Sequence, residues 1–449
     1  MSYQVPQHID KDKIFIVKRS EIEGRLEPNF YKPSIATLEK KIRSLSSKRL
    51  RSYALSFAGG ATPSKREAEK YYSDSQTGVP FLRVQNLQTT GELSLDECIH
   101  INEETHNGLL KRSQVLEGDL LVKITGVGRM AIASVAPEDF VGNTNQHMVV
   151  IKTGDSSISK YLAHYLNLDI IEQIASRHST GGTRPALDYP SLKNIPIIEG
   201  LDFSIIDNAI KAKKAKEVEA QQLLDSIDGY LLKELGITIP NVDNELNNRI
   251  FFSSFSKIEG NRLDPIYSLY LGKNASSTEY ENTSLRSVAY IVKGNALSSS
   301  DIEAGDIPVI AGGQTSPYSH NQANYEGNVI TVSASGAYSG YIWYHDYPIY
   351  ATDCCVIYSK DELRYMTKYL FEVLKLQQKS IYRLQTGAAQ PHVYAADLQM
   401  LNIPIVSIDK QRDIVNHITD IRTKAKALQA EGKAILEDAK RKVEQMIIG

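Results

Sequence analysis

Thr180-Gly181-Gly182-Thr183-Arg184-Pro185, followed by Leu192 and Ile195-Pro196, returns as Thr386-Gly387-Ala388-Ala389-Gln390-Pro391, followed by Leu398 and Ile403-Pro404. This phrase decides the fold, because each copy closes a strand-rich stretch and is followed by a long charged helical pattern. An opening phrase repeats as well: Ile22-Glu23-Gly24-Arg25-Leu26-Glu27-Pro28 is echoed by Ile258-Glu259-Gly260-Asn261-Arg262-Leu263-Asp264-Pro265. The offset between matched positions drifts, from 236 at Ile22/Ile258 through 228 at Pro80/Pro308 and 209 at Gly118/Gly327 to 206 at Thr180/Thr386. The second copy has therefore lost residues mainly in its front part. A period this long means two domains, not a solenoid. Matching ends around differing middles suit a common frame that carries two different recognition surfaces.

The 449 residues fit two to three domains. Hydrophobic residues at 42% and charged residues at 23% describe a globular chain. No apolar run is long enough for a transmembrane helix, and Met1–Lys13 lacks a signal-peptide core. Three cysteines, two of them adjacent at Cys354-Cys355, exclude a disulfide framework and a Cys-rich zinc site. They fit a reducing cytoplasm, the expected location. The histidines show no ligand spacing, so no metal site is expected. A net charge of −2 means that any nucleic-acid surface must be local.

The expected fold is α+β, with two globular β-rich modules and two long helices. Residues 1–200 read as the first module with its leader, 201–236 as the first long helix and 237–255 as a polar connector. Residues 256–407 read as the second module and 408–449 as the second long helix. Leu120–Thr125 reads as a strand ending at Gly126-Val127-Gly128, with Met130–Ala136 returning and Met148–Ile151 a further strand. Val329–Val332, Gly340–Trp343 and Cys355–Tyr358 are strand candidates of the second module. Tyr161–Ser176 and Tyr365–Tyr382 read as matching helices. Ile206, Ile210, Leu224, Ile227 and Leu231 keep the alternating spacing of a coiled-coil seam, weakened by Lys213 and Glu217. Ile414, Ile418, Ile421, Leu428 and Ile435 do the same, with only Gly432 breaking the pattern. One amphipathic helix cannot hide its stripe alone, so the two are expected to pack on each other or on a partner's helices. An antiparallel pairing of about 30 residues, at 1.5 Å per residue, would hold the modules on the order of 45 Å apart.

Catalytic motifs are missing. There is no Walker A sequence, no His-Glu-x-x-His and no Gly-x-Ser-x-Gly. With no Pro-Pro pair, the Asn/Asp-Pro-Pro-aromatic motif of adenine methyltransferases is absent too. Gly126 to Ala131 matches G-x-G-x-x-A, but a dinucleotide fold needs a helix after it, and the following residues read as a strand. A hairpin turn is the better reading.

What the chain does offer is Gly-rich loops beside basic and amide side chains. In the first module these are Gly59–Lys65, Arg83–Asn86, Lys123–Arg129 and Ser179–Arg184. Glycine backbone N–H groups at Thr180-Gly181-Gly182, with charge from Lys65, Lys123, Arg129 and Arg184, suit phosphates. Arg83, Gln85, Asn86 and Arg129 have the donor geometry for guanine or adenine edges. For any one loop the plainer alternative is a turn flanked by solvated charge. The second module offers Gln314 and Thr315 in Gly312–Ser316, Ser335 and Tyr338 in Ser333–Tyr338, and Thr386 and Gln390 in the closing phrase. It is also tyrosine-rich: Tyr318, Tyr325, Tyr338, Tyr341, Tyr344, Tyr347 and Tyr350 serve either as DNA contacts or as core.

On these residues the chain resembles, over essentially its whole length, the specificity subunit of a type I restriction–modification system. The resemblance is carried by Arg25–Tyr31 with its echo Arg262–Pro265, Gly59–Ser64, Gly118–Val122 and Asn145-Gln146-His147. Thr180 through Pro196 and Leu223–Ile227 carry it further. It implies two target recognition domains related by a pseudo-twofold repeat, each reading half of a split double-stranded DNA target. It also implies an antiparallel coiled coil that fixes the gap and docks two copies of a methyltransferase subunit. S-adenosylmethionine would bind in those partners, and ATP and Mg in a translocating restriction subunit. No chemistry, cofactor or membrane contact is implied for this chain itself. Two departures stand out: Lys293-Gly294-Asn295-Ala296-Leu297-Ser298 replaces the Gly-Gly-x-Thr-Pro-Ser loop, and Gln390 stands where the first closing phrase has Arg184. The competing readings are a stand-alone DNA methyltransferase with an unrecognised active site and a protein-binding scaffold.

Overall fold

The computed structural model describes residues 10–46, 48–238, 252, 278–298, 300–316, 318–387 and 390–449. The second opening phrase, Ile258–Pro265, and nearly all of the connector lie outside them. The chain divides into two units, Met1–Lys216 with Ala430–Gly449, and Glu217–Gln429. Among the described residues no helix is long and apolar enough to cross a membrane.

Unit one contains, in chain order, β1 (Lys48–Arg49), β2 (Ser56–Gly59), β3 (Tyr72–Ser73), β4 (Val79–Leu82), β5 (Ile99–Ile101) and β6 (Gln114–Leu116). β7 (Leu120–Lys123), β8 (Ala133–Val135), β9 (Val141–Thr144), β10 (Met148–Lys152) and β11 (Pro196–Ile197) follow. Unit two contains β12 (Asn282–Ser284), β13 (Ala289–Lys293), β14 (Ile307–Ile310), β15 (Ser319–His320) and β16 (Val329–Ser333). It continues with β17 (Ile342–His345), β18 (Tyr350–Ala351), β19 (Cys354–Ser359) and β20 (Asn402–Pro404).

Taken separately, the units repeat one wiring. A four-stranded antiparallel sheet has the order β2-β10-β7-β8 in unit one and β13-β19-β16-β17 in unit two. A parallel pair flanks it, β4 with β9 and β14 with β18. The entry strand pairs with the exit strand, β1 with β11 and β12 with β20, so each module closes where it began. A buried tyrosine hydroxyl locks each closure at 2.9 Å, Tyr165 to the Pro196 carbonyl and Tyr369 to that of Pro404. Burial pushes both phenols up. The difference lies in the middle. Unit one builds β5 and β6 between β4 and β7, whereas among the described residues unit two has β15 alone between β14 and β16.

The helices read as Tyr161–Ser176 and Tyr365–Tyr382 are each broken in two. In unit one the halves are Ser156–Leu166 and Asp169–His178. The cause is Asn167, whose buried side chain bonds both the N–H and the carbonyl of Ala133 at the sheet edge and stops the helix there. In unit two they are Thr367–Leu376 and Gln378–Tyr382, and Gln377 at the joint donates to the Asn402 carbonyl.

The long helices span Ser204–Glu234 and Ile408–Ile448, and each contributes residues to both units. Within unit one, Ile206, Ala209 and Ile210 share a core with Leu436, Ala439, Val443 and Ile447. Within unit two, Ile227, Leu231 and Leu235 share a core with Ile414, Val415, Ile418 and Ile421. Burying each large side chain contributes roughly 1.5–3 kcal/mol. Leu224, Leu428 and Ile435, expected in the seam, are half-buried. The pairings run in opposite senses: Lys216 with Glu431 in unit one, Tyr230 with His417 and Glu234 with Lys410 in unit two. Gly432 does not break the packing. It is buried, and a Cβ there would lie 3.3 Å from the Lys213 Cα and carbonyl oxygen, so its bareness lets the backbones approach.

The leader is held to the closing turn of unit one by charge. Glu39, on the helix Pro33–Leu45, pairs with Arg177, with Arg43 and with His178 at 2.9 Å. Phe30 lies between two guanidiniums, those of Arg25 and Arg177, 4.5 and 4.4 Å from its ring centre. Arg25 also donates to the Ser179 carbonyl at 3.0 Å, tying the opening phrase to the closing one. Burial raises the Glu39 carboxyl, but the hydrogen bond and charge of His178, then those of Arg43, outweigh it and hold it at about 2 against an ordinary 4.5.

A depressed carboxyl adds stability that is complete above its unfolded value and lost as pH falls to the folded one. This contribution is expected to fade between pH 4.5 and about 2. Glu39→Gln is expected to cost about 3 kcal/mol at pH 7 and to flatten that acid limb. Melting curves at pH 7 and pH 3 check it, and equal melting of the two proteins at pH 7 contradicts it. Gly432→Leu is expected to cost about 1–3 kcal/mol by prising the helices apart. Gly229→Ala, on the first long helix with open space around it, is expected to stabilise slightly.

Candidate nucleic-acid interface

Antiparallel neighbours put alternate strand ends at one edge of each four-stranded sheet. In unit one the end of β2, the start of β10, the end of β7 and the start of β8 coincide. The loops leaving them are the Gly-rich phrases. Gly60 is fixed in kind, because a Cβ there would lie 1.9 Å from the Thr144 carbonyl oxygen. The Thr62 hydroxyl bonds the Gln146 amide oxygen. Ile124 N–H donates to the His147 carbonyl at 2.9 Å, Leu187 N–H to that of Ile124 at 2.8 Å and Gly126 N–H to that of Pro185 at 3.0 Å. Thr180 and Ala186 exchange both backbone hydrogen bonds, so Gly181-Gly182-Thr183-Arg184 projects as the tip of a tight hairpin.

Unit two builds the same edge from other side chains. A Cβ at Gly294 would lie 2.2 Å from the Thr352 carbonyl oxygen. Ala334 N–H donates to the Asp353 carbonyl at 3.2 Å, Val393 N–H to that of Ala334 at 3.1 Å and Gly336 N–H to that of Pro391 at 3.0 Å. Thr386 and His392 exchange backbone hydrogen bonds as Thr180 and Ala186 do.

The sequence-predicted residues differ in exposure. Lys65, Gln85, Thr180, Gly181, Gly182 and Arg184 are exposed in unit one, and Gln314, Thr315, Tyr338 and Gln390 in unit two, with Ser335 and Thr386 half-buried. Three predictions need correction. Lys123 is buried, its ammonium donates to the Val127 carbonyl at 2.7 Å, and burial pushes its pKa down. Arg129 pairs with Asp169 and donates to the Asn167 carbonyl at 2.6 Å, clamping the broken helix joint. Asn86 is buried, accepting from Arg83 N–H at 2.8 Å and donating to the Ser94 carbonyl at 2.9 Å. These three hold the loops in place and are not free to read a base. Arg83 is half-buried and reaches the Glu97 carbonyl at 3.3 Å.

Among the crowded tyrosines, Tyr318, Tyr338 and Tyr347 are exposed, while Tyr325, Tyr341, Tyr344 and Tyr350 are half-buried. Burial pushes Tyr344 up to about 12. The edges also carry residues not picked from the sequence: Gln146 in unit one, Lys293 and Asp353 in unit two, all exposed. Asn145-Gln146-His147 was visible as a phrase. Its relation to Asp353 was hidden by the drifting offset. Gly126-Val127-Gly128 is followed by β8, not by a helix, and so makes a hairpin.

Residues 277–437 match the family model described as the type I restriction modification DNA specificity domain. The resemblance read in the sequence is thus met independently from residue 277 through the rest of the second module and much of the helix after it. Among solved structures, the type I restriction-modification system S subunit from M. genitalium is 15% identical, with 88% of this chain and 95% of that one covered and a TM-score of 0.42. A structure described as underlying complex assembly and conformational transition of the type I R-M system is 15% identical, with 89% and 95% covered and a TM-score of 0.45. The HsdS subunit from Thermoanaerobacter tengcongensis is also 15% identical, with 89% and 95% covered and a TM-score of 0.35. No curated protein matches the chain.

Arg184→Ala is expected to leave melting unchanged and to weaken DNA binding uniformly across sequences, lowering the salt slope by about 1. Arg129→Ala is expected to lower the melting temperature of unit one. Binding titrations at several salt concentrations, with melting curves, separate the two. A changed salt slope with unchanged melting for Arg129→Ala would contradict its reassignment.

Proposed function

We propose that this chain is the DNA-specificity subunit of a type I restriction–modification complex, each unit reading one half of a bipartite duplex target. The observation that carries the reading is the family match over residues 277–437, extended to unit one by the shared strand order. The chain itself performs no chemistry. Its long helices form an antiparallel coiled coil that sets the gap between half-sites and relates the modules by a pseudo-twofold axis. The same helices and closures give two equivalent docking surfaces for two methyltransferase subunits. S-adenosylmethionine binds in those subunits, which methylate adenine. A restriction subunit using ATP and Mg joins the same assembly in the cytoplasm.

The opposed helix pairings inside each unit support the ruler. Two half-readers at a set spacing would suit a duplex whose successive major-groove faces recur about every 34 Å. Incubated alone with S-adenosylmethionine and DNA, the chain is expected to transfer no methyl group. Together with its methyltransferase partner it is expected to direct methylation to a two-part site, read by methylome sequencing. Methyl transfer by the chain alone would sink the proposal. Inserting four residues after Ala220, about one helical turn, is expected to change the gap or prevent assembly while both units stay folded. An unchanged gap would mean the helices are not the ruler.

A further inference from the structure

The short turn that enters β10 in unit one and β19 in unit two lies at the loop edge of each four-stranded sheet. The two turns match up to their tips. Asn145 N–H donates to the Leu82 carbonyl at 3.3 Å, and Thr352 N–H to that of Ile310 at 2.8 Å. The His147 carbonyl accepts from Ile124, and the Asp353 carbonyl from Ala334. Between these fixed points unit one carries Gln146-His147, and unit two carries Asp353 alone. Gln146 and Asp353 are both exposed.

Each of these side chains is pinned by a hydroxyl from another loop. The Thr62 hydroxyl donates to the Gln146 amide oxygen, and that of Ser335 to a carboxylate oxygen of Asp353. An exposed hydrogen bond adds little stability, since water competes for both partners. What the pin does is fix direction. With its oxygen engaged by Thr62, the Gln146 amide has its NH2 left as a donor. The carboxylate of Asp353 offers acceptors only. A carboxylate facing DNA is repelled by phosphates, so it fits only where a base donor meets it. The donors in the major groove are the exocyclic amino groups of cytosine and adenine.

We infer that this turn tip is a specificity-determining position in both modules, with opposite chemistry in each. Asp353 selects a base that presents an exocyclic amino group. Gln146 selects a base that presents an acceptor, a purine N7 or a keto oxygen. The inference rests on the function proposed above and names residues for it. The frame holds the position constant, and one side chain per module changes what it reads.

The test uses the full chain with its methyltransferase partner on a library of randomised duplexes, the methylated molecules being sequenced. Asp353→Ala is expected to relax discrimination at one base pair of one half-site by roughly ten- to a hundredfold, leaving the other half-site sharp. Gln146→Ala is expected to relax one base pair of the opposite half-site. The half-site that stays sharp shows that the same molecule is folded and assembled. Unchanged target preferences in both variants, or equal relaxation of both half-sites, would overturn the inference. Should Asp353→Ala abolish methylation, Asp353→Asn, which keeps shape and an acceptor for Ser335, decides. A shift toward acceptor-bearing bases supports the inference and an unchanged preference overturns it. A wild-type complex with no two-part preference would instead overturn the proposed function.

Discussion

Each long helix has an apolar stripe that must be covered, and that constraint organises the molecule. Most helical stability in proteins comes from tertiary packing of an amphipathic face. The stripe of Ser204–Glu234 is covered in unit one beside Leu436 and Val443, and in unit two beside Ile414 and Ile418. Each unit's core therefore includes a piece of both helices. Glu444 extends the same logic, since its carboxylate accepts from the first backbone N–H groups of the helix Asp169–His178. In unit two Gln411, fully buried, accepts from Met366 N–H at the start of Thr367–Leu376. The helices cap the modules as well as bearing on them.

Closure of entry strand on exit strand is the second half of the frame. Because β1 meets β11 and β12 meets β20, the chain leaves each module beside the point where it entered. The loops between can then lengthen, shorten or change charge without moving the helices. Unit one uses that freedom for β5 and β6, which have no counterpart among the described residues of unit two. Buried contacts such as Tyr165 to Pro196 and Tyr369 to Pro404 recur. Exposed residues at the loop edge, Arg184 against Gln390 and Gln146 against Asp353, do not.

What was legible in the sequence follows the same division. The repeated phrases mark closures, where backbone geometry restricts which residues fit, so the duplication and the long helices stood out. Side-chain burial is not written in residue type. Lys123, Arg129 and Asn86 look like readers in a list of polar residues, yet the fold uses all three internally. The helix breaks at Asn167 and Gln377 were invisible because they depend on a distant strand edge. Gly432 looked like a defect in a heptad and is a close approach of two backbones. Leu436 and Val443 are buried where Leu428 and Ile435 were expected, because the helix also faces a module and not only its partner helix.

The central claim is that two independent readers sit on one frame. The most direct measurement is the methylome of cells carrying a chimera in which residues 282–404 are replaced by residues 48–197, alongside the methyltransferase partner. The expected target has two identical, inverted halves separated by the gap found for the wild-type chain. A target that keeps two different halves, or a single uninterrupted site, would contradict it.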